Sequence, residues 1–161
     1  MNLKSKILEA GRWVIVLAMI ICLISLFAGS PASNAAFSDV SSAVLSQVDT
    51  TNMQQADNQM IKRLYGLDPS AFEGCILYYP STNMDAEELL VIKMADTAQA
   101  ESVSAAIQAR LQAQKASFDG YGVEQTDLLT NYCVVDVRGN YALFLVSKTC
   151  DAAHTAFLDA L

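Results

Sequence analysis

Residues 132–147 read YCVVDVRGNYALFLVS, and this stretch decides the fold. Two runs rich in strand-forming residues flank Gly139-Asn140, which is typical of a two-residue β-hairpin turn. The first run alternates apolar and polar residues, so only one of its faces is expected to be buried. The second run, 141–147, is apolar on both faces, which predicts a central strand with cover on both sides.

A second hairpin is predicted upstream. Cys75–Tyr79 (CILYY) and Glu88–Met94 (ELLVIKM) are dense in strand formers and are separated by a polar loop. A long helix over 97–118 follows, and Asp96 with Gln99 forms a capping box at its start. The pattern predicts an α+β fold: a mostly antiparallel four-stranded sheet, made of two hairpins joined by a long crossover helix, with helices packed on it.

Shorter helices are expected around this sheet. An apolar stripe predicts one helix over 53–65, ended by Gly66. Residues 36–52 form either a tether or a short amphipathic helix, and a terminal helix is expected over 151–161. The α+β domain is therefore assigned to residues 53–161.

Residues 13–28, WVIVLAMIICLISLFA, form an uncharged apolar run behind a basic start and predict a leader helix. Residues 1–35 are either a signal peptide cleaved near Ala35 or an N-terminal membrane anchor. Cys22 lies in the middle of the run, so it lacks the position of a lipid-modified cysteine. Both alternatives predict an extracytoplasmic protein, secreted or anchored by residues 13–28, because the positive charges precede the apolar run.

The charge of the exported part limits its partners. The whole chain carries −7, and a net +2 on residues 1–35 leaves −9 on the rest. An acidic surface repels nucleic acid, so no nucleic-acid partner is expected. The expected partners are the membrane, through an uncleaved leader, and an unknown protein or small-molecule ligand. No sequence motif for a cofactor is found, and none is expected.

Candidates for catalysis are few. His154 is the chain's one histidine, and it falls on a helix where Asp151 or Asp159 could hold it. Histidines on helix surfaces are usually solvated, so no catalytic residue is assigned. A carboxylate-dependent hydrolase needs two acids facing one cleft. The plausible acids are Glu87, Glu88 and Glu124.

Candidate contact residues follow the long helix. Gly120 and Gly122 bracket Tyr121, which favours an exposed aromatic ring on a bent backbone. The polar Glu124 and Gln125 come next, and an exposed tyrosine beside polar groups is typical of ligand or partner contact. The alternative is helix termination by glycine, with Tyr121 folded back on the core and a second short helix after it. The candidate contact residues are Tyr121, Glu124, Gln125 and Tyr65.

A weak metal candidate lies in the loop of the first hairpin. Asn83, Asp85 and Glu87 place oxygen atoms at alternate positions, as calcium loops do, although the glycine of such loops is missing. The alternative is a polar hairpin loop in which Asp85 caps a turn.

The exported cysteines allow at most one disulfide among Cys75, Cys133 and Cys150. Cys133 and Cys150 form the best pair, although Cys133 would face a position near Val146 and a bridge would need a bend. The alternative is that all three are small buried side chains.

Three stretches together resemble a known family: KRLYGLDPSAFEGCILYYPSTNMDAEELLVIKMAD, ARLQAQKASFDGYGVEQTDLL and VRGNYALFLVS. They are similar to a bacterial family of exported proteins of unknown function, DUF4358. The resemblance covers about residues 53–160 and implies a single α+β domain behind a leader or a lipid anchor. It implies no activity, and the cysteines do not match the family pattern.

Three functions remain open. The first is a non-enzymatic binding or interaction module at the extracytoplasmic face. The second is a carboxylate-dependent hydrolase, which would require two buried acids in one pocket. The third is a structural subunit of an envelope assembly, which would require a large exposed apolar patch.

Overall fold

The computed structural model describes residues 12, 13, 15–19 and 30–161. The described residues of the predicted leader are helical, and the rest of that segment lies outside the described part. Among the described residues, none of the helices combines the length and the apolar character needed to span a bilayer. The chain divides into two compact units, 1–30 and 31–161, and the second unit contains the fold described below.

The second unit consists of five α-helices and one five-stranded antiparallel sheet. The sheet order is β1-β2-β3-β5-β4, so β3 and β5 occupy the middle. Each helix and strand is defined as follows: α1 Phe37–Leu45, β1 Met53–Gln55, α2 Asn58–Tyr65, β2 Phe72–Pro80, β3 Glu88–Met94, α3 Ala100–Phe118, α4 Val123–Asn131, β4 Cys133–Arg138, β5 Tyr141–Val146 and α5 Cys150–Ala160.

The sheet has five strands rather than the predicted four. Residues 53–55 do not begin a helix: they pair with the end of β2, with Met53 opposite Pro80. Asp57 then starts α2, because its side chain accepts a hydrogen bond from the Met60 N–H at 2.7 Å. The predicted helix over 53–65 is therefore wrong in its first part: the cap at Asp57 starts the helix later, and residues 53–55 form a strand instead.

The other predicted elements are confirmed in type and approximate position. β3 has the predicted bounds, and Asp96 with Gln99 forms the predicted capping box before α3. Gly66 ends α2 with a left-handed φ of 68°. The short helix α4 also forms after Gly122, as the alternative for this region predicted.

Helices cover both faces of the sheet. On the first face, α2, α3 and α4 pack on β3 and β5, and this first core includes Leu90, Ile107 and Phe144. On the second face, α1 and α5 pack on the same strands, and this second core includes Leu143 and Phe157. All six residues of β5 are buried, as its two apolar faces predict. Residues 37–45 are thus a packed helix and not a tether.

The segment that precedes α1 packs against the turn between β4 and β5. We call residues 31–36 the strap. The Ser33 N–H donates to Asn140 Oδ1 at 2.8 Å, and Asn140 Nδ2 donates to the Ser33 carbonyl at 3.1 Å. The Tyr141 hydroxyl donates to the Ala35 carbonyl at 2.8 Å. Gly139 has a φ of 59°, and a Cβ there would lie 2.2 Å from the Pro31 oxygen, so the strap crosses the hairpin turn where only glycine fits.

Candidate functional site

Glu88 is a charged residue at the start of an otherwise apolar central strand. Side chains alternate along a strand, so Glu88 shares a face with Leu90 and Ile92, which belong to the first core. Its side chain is fully buried. A buried carboxylate is costly unless other groups compensate its charge, so its partners define the local chemistry.

Three side chains surround this carboxylate with four hydrogen bonds. Glu88 Oε1 accepts from the Tyr65 hydroxyl and from Arg110 Nε at 3.0 Å. Glu88 Oε2 accepts from Arg110 Nη2 at 2.6 Å and from Gln114 Nε2 at 2.8 Å. The two-point contact with Arg110 neutralises the charge, and the other two donors complete the shell. We call these four residues the Glu88 cluster.

Local structure places each donor. Arg110 and Gln114 are four residues apart on α3, so they lie on the same side of that helix. Tyr65 is the last residue of α2, and Gly66 ends the helix immediately after it. Burial, and then the negative charge of Glu88, raises the pKa of Tyr65 well above its ordinary value, so its hydroxyl remains a donor.

Gln114 has one atom without a partner. Its side chain is 5% exposed, and among the described residues its buried Oε1 makes no hydrogen bond. The amide orientation follows from charge: a carboxylate requires the donor Nε2 to face it, which turns Oε1 away from Glu88. An unsatisfied buried acceptor costs about 1–3 kcal/mol, so the hydrogen bond from Gln114 to Glu88 is made at the expense of this oxygen.

Gln114 and Arg110 lie in the wall of a cleft of about 490 Å³. The cleft lies on the first face of the sheet, beside α2 and α3 and the loop after β2. Its volume falls within the range of small-molecule sites. Among the other residues that line it are Arg63, Tyr79, Asp85, Phe118 and Tyr121.

The cleft contains one basic and one acidic side chain outside the Glu88 cluster. Arg110 is neutralised by Glu88, whereas Arg63 and Asp85 form no ion pair with any other described residue. Arg63 Nη2 donates only to the Met60 sulfur, at 2.9 Å. The cleft therefore offers one guanidinium and one carboxylate to a ligand.

The candidate contact residues occupy different places. Tyr121 lines the cleft, is 64% exposed, and packs its ring 6.1 Å from that of Phe118 while its hydroxyl donates to the Ser117 carbonyl. Gln125 Nε2 donates to the Met84 carbonyl at 3.0 Å, which joins α4 to the loop after β2.

The remaining two contact candidates lie apart from the cleft lining. Tyr65 belongs to the Glu88 cluster and not to the cleft surface. Glu124 points into solvent, 3.5 Å from Lys148 Nζ. The four candidates thus divide between the cleft wall, the cluster beneath it and the outer surface.

The arrangement of acids does not favour carboxylate catalysis. Both oxygens of Glu88 are occupied by donors, so this carboxylate has little capacity to accept a proton from a substrate. Glu124 is exposed, and Asp85 is the one acid among the residues that line the cleft. Burial, and then the charge of Asp85, raises the pKa of Glu87, but Glu87 does not line the cleft.

The loop that suggested a metal site has another role. Asp85 Oδ1 accepts hydrogen bonds from the N–H groups of Ala86, at 2.7 Å, and Glu87, at 3.2 Å. Asp85 therefore caps the turn, as the alternative interpretation predicted. Asn83 lines the cleft with Asp85. Within the described part of the chain, no three His, Cys, Asp or Glu side chains converge to hold a metal ion.

The three cysteines of the second unit are free thiols. Cys133 faces Val146, as expected, and packs against the first core, whereas Cys150 belongs to the second core. A bridge between them would have to join side chains that pack in different cores. The Cys133–Cys150 disulfide stays a prediction.

His154 lies far from the Glu88 cluster in the fold, since it is on α5 at the second face. Its Nε2 is 2.7 Å from Asp136 Oδ2, so the partner comes from β4 and not from Asp151 or Asp159. Asp136 lies on the face of β4 that the alternating pattern predicted to be exposed, but α5 covers that face. The pair joins a terminal helix to an edge strand and has a structural role.

Glu88 was among the acids predicted from the sequence, whereas Arg110 and Gln114 were not predicted. A signal was present: Val103, Ile107, Leu111 and Phe118 form the apolar stripe of α3, and Gln114 occupies a position within it. A polar residue inside such a stripe indicates a buried partner on the facing sheet. Glu88, at the start of an apolar strand, is that partner.

The comparison with protein families adds one finding. A family model described as a domain of unknown function (DUF4358) matches residues 46–147, which is more than half of the chain. The chain belongs to the DUF4358 family. The matched region runs from the end of α1 to the end of β5 and contains the whole Glu88 cluster, whereas α1 and α5 lie outside it. The comparison with curated proteins gave no match, and the comparison with solved structures gave none either.

Proposed function

We propose that this DUF4358 protein is a non-enzymatic binding module that takes a small ligand in the cleft above the Glu88 cluster. The observation that carries the proposal is the cleft of about 490 Å³, in whose wall Arg110 and Gln114 are held by the buried Glu88. Binding sites commonly combine a largely preformed cavity with a few fixed polar groups. Here a buried carboxylate fixes Arg110 and Gln114 before any ligand arrives, which lowers the entropy lost on binding.

Binding rather than catalysis is supported by the hydrogen bonds of the cluster. A general base needs a free lone pair and a pKa near the working pH. Glu88 accepts four hydrogen bonds, and His154 contacts the opposite side of the sheet. The hydrolase alternative would need a second acid beside Asp85 in the cleft, and none lines it among the described residues.

The proposed place of action is the extracytoplasmic face. The support is the uncharged run 13–28 behind a basic start, together with the −9 charge that follows. In this proposal the apolar run 13–28 exports the domain and either anchors it to the membrane or is removed by cleavage upstream of the strap.

A ligand screen on the full-length protein tests the function. Thermal unfolding is followed with a library of small metabolites and short peptides, for the wild type and for Gln114→Met. A ligand at 100 times its Kd stabilises the native state by about 2.7 kcal/mol, which is a measurable shift in Tm. Gln112→Met, on the exposed side of the same helix, is the matched control. We expect at least one ligand that stabilises the wild type and the control but not Gln114→Met.

An assembly subunit is the second candidate, and two exposed apolar side chains on neighbouring segments favour it. Met84 is 69% exposed and Val123 is 84% exposed. The hydrogen bond from Gln125 to the Met84 carbonyl holds their two segments together. Large contiguous apolar patches mark protein contacts, and these two side chains are the apolar part of the proposed contact surface. A photo-crosslinker at position 123 should then capture a specific protein in the membrane fraction, and a crosslinker at Lys115 should not.

A further inference from the structure

We propose that β4 is an interface at which two copies of this chain pair edge to edge and form one continuous sheet. The proposal goes beyond the binding function and does not depend on it, because residues of β1 and β2, at the other edge of the sheet, line the cleft and those of β4 do not. It follows from the unpaired outer edge of β4, from the missing protection of that edge and from a register that complements itself.

The outer edge of β4 carries backbone groups without partners. β4 is the last strand in the sheet order and, among the described residues, pairs with β5 alone. The Ser147 N–H donates to the Tyr132 carbonyl at 3.0 Å, so Tyr132 faces β5, and backbone directions alternate along an antiparallel pair. The N–H and C=O groups of Cys133, Val135 and Val137 therefore face outward, and no described residue forms a hydrogen bond with them.

The two edges of the sheet differ in their protection. Natural edge strands are commonly blunted by shortness, proline, lysine or a bulge. β1 has only three residues, whereas β4 has six residues in unbroken register with β5 and contains neither proline nor lysine. The one acid of β4, Asp136, is 2.7 Å from His154 Nε2 and 3.2 Å from Arg138 Nη2, so its charge is bound within the subunit. β4 is therefore the edge that is open to a further strand.

A second copy of β4 fits this edge in an antiparallel register centred on Val135. Val135 then lies opposite the partner's Val135, and Cys133 lies opposite the partner's Val137. Each such pair exchanges two backbone hydrogen bonds, so all the outward groups of the strand are used. The side chains of these residues pack against the first core and are partly exposed, so they form apolar cross-strand contacts between the subunits.

Charge and strand length select this register over its neighbours. A shift of two residues in one direction places Asp136 opposite the partner's Asp136, where like charges repel. The same shift in the other direction places Val137 opposite the partner's Asn131, which belongs to α4 and not to a strand.

The centred register also brings opposite charges together. Arg138, whose side chain is 50% exposed, lies opposite the partner's Tyr132. Tyr132 directly follows α4, and its N–H bonds the Leu128 carbonyl in the last turn of that helix. The C-terminal end of a helix carries a partial negative charge, so a guanidinium is favourable at this place. The symmetry of the pair repeats this contact at both ends of the interface.

The mass of the full-length protein in detergent, measured by light scattering over a range of concentrations, tests the proposal. We expect the wild type to form a dimer. Val135→Pro removes one outward N–H but none of the hydrogen bonds between β4 and β5, and edge strands tolerate proline at such positions. We expect it to weaken dimerisation about tenfold or more. Gln55→Pro makes the same change at an outward position of β1 and should leave the dimer unchanged.

Disulfide crosslinking tests the register, and it does so even if a proline variant fails to fold. In a Cys133→Ala background, Val135→Cys should give a covalent dimer on mild oxidation, because Cα atoms of a hydrogen-bonded pair lie about 5.5 Å apart. Val134→Cys in the same background is the control. Its copy in the partner is a diagonal neighbour at roughly 7–8 Å, which is too far for a disulfide, so no covalent dimer is expected.

Three results would overturn the proposal. The first is a wild-type protein that stays monomeric at every concentration. The second is a dimer that Val135→Pro does not weaken and Val135→Cys does not crosslink, since such a dimer uses another surface. The third is equal crosslinking through positions 134 and 135, which would show collision of the subunits without a defined register.

Discussion

Ser33 and Asn140 exchange two hydrogen bonds although they lie 107 positions apart in the chain. This reciprocal pair fixes the strap against the turn between β4 and β5. Ser33 Oγ also donates to the carbonyl of Leu161 at 2.7 Å, so one residue connects the strap with the turn and with the C-terminal end of the chain. The segment between the leader and α1 is therefore part of the folded unit.

Asn140→Ala should destabilise the protein by about 1–2 kcal/mol, because it removes both hydrogen bonds to Ser33 from a mostly buried site. Urea unfolding, monitored by far-ultraviolet circular dichroism, measures the change. Asn131→Ala is the control, since Asn131 is exposed and contacts only the nearby Asp127. Equal stability of the two variants would contradict the structural role of the strap.

The strap also predicts where the mature protein begins. Cleavage at Ala35 would separate Ser33 from Asn140 and divide the strap. We expect the mature protein to retain Ser33, through cleavage upstream of the strap or through retention of the leader. Intact mass spectrometry of protein purified from its own membrane fraction gives the N-terminus. A chain that starts at Ala36 would show that the strap is dispensable.

Tyr65→Phe should reduce the free energy of unfolding by about 1–2 kcal/mol at pH 7, because one donor to a buried carboxylate is lost. The raised pKa of Tyr65 adds a pH dependence. The native state holds this proton after the unfolded chain has begun to release it near pH 10, so this part of the stability is present below pH 10 and is lost as the pH rises further. The difference between the wild type and Tyr65→Phe should therefore narrow above pH 10.

Tyr132→Phe is the matched control for this experiment, since Tyr132 is partly exposed and its hydroxyl has no hydrogen bond among the described residues. It should change stability little. A Tyr65→Phe variant as stable as the wild type would mean that the fourth hydrogen bond to Glu88 contributes nothing.

Glu87→Gln should stabilise the protein at pH 7 by roughly 0.5 kcal/mol, a modest value because the site is partly exposed to solvent. Burial and the charge of Asp85 raise the pKa of Glu87 in the native state. Between the unfolded and the folded pKa the native state binds more protons, so stability falls as the pH rises through that interval. Glutamine at position 87 removes this loss of stability with rising pH and still accepts the hydrogen bond from Ser147.

Measuring the free energy of unfolding between pH 4 and pH 7 tests the direction of this pH dependence. The gain from Glu87→Gln should be largest at neutral pH and smallest at pH 4. Glu101→Gln, at an exposed position, is the matched control. A gain that grows toward acid pH would contradict the assigned environment of Glu87.

The thiols should react slowly in the native state. Burial raises the pKa of Cys75 to about 12 and that of Cys133 to about 11, so the reactive thiolate is scarce at pH 8. Iodoacetamide labelling followed by peptide mass spectrometry should modify both cysteines only after urea is added. The same peptide map reports any Cys133–Cys150 disulfide. Rapid labelling of either thiol in the native protein would contradict its burial.

Much of the fold could be read from local patterns. Gly139-Asn140 predicted the hairpin of β4 and β5, and the two apolar faces of β5 predicted helices on both sides of the sheet. Met53–Gln55 was missed because a three-residue edge strand has no periodicity of its own and exists only through pairing with β2. The crossing of the strap over Gly139 was equally hidden, since it joins distant segments.

The candidate site could be predicted only in part. Tyr121 was expected at a contact surface because of its flanking glycines; it lines the cleft, and its contact role stays a prediction. The Glu88 cluster joins α2, β3 and α3, so its assembly depends on tertiary packing. Gln114 in an apolar stripe was the readable clue, whereas the unpaired state of its oxygen is a property of the folded protein.

The most direct test of the account is a comparison of ligand-induced stabilisation in the wild type, Gln114→Met and Gln112→Met. Circular dichroism first establishes that all three proteins are folded. The account predicts a ligand that raises the Tm of the wild type and of Gln112→Met but has no effect on Gln114→Met. A ligand that stabilises all three proteins equally, or a screen in which no compound stabilises the wild type, would contradict a binding function for the cleft.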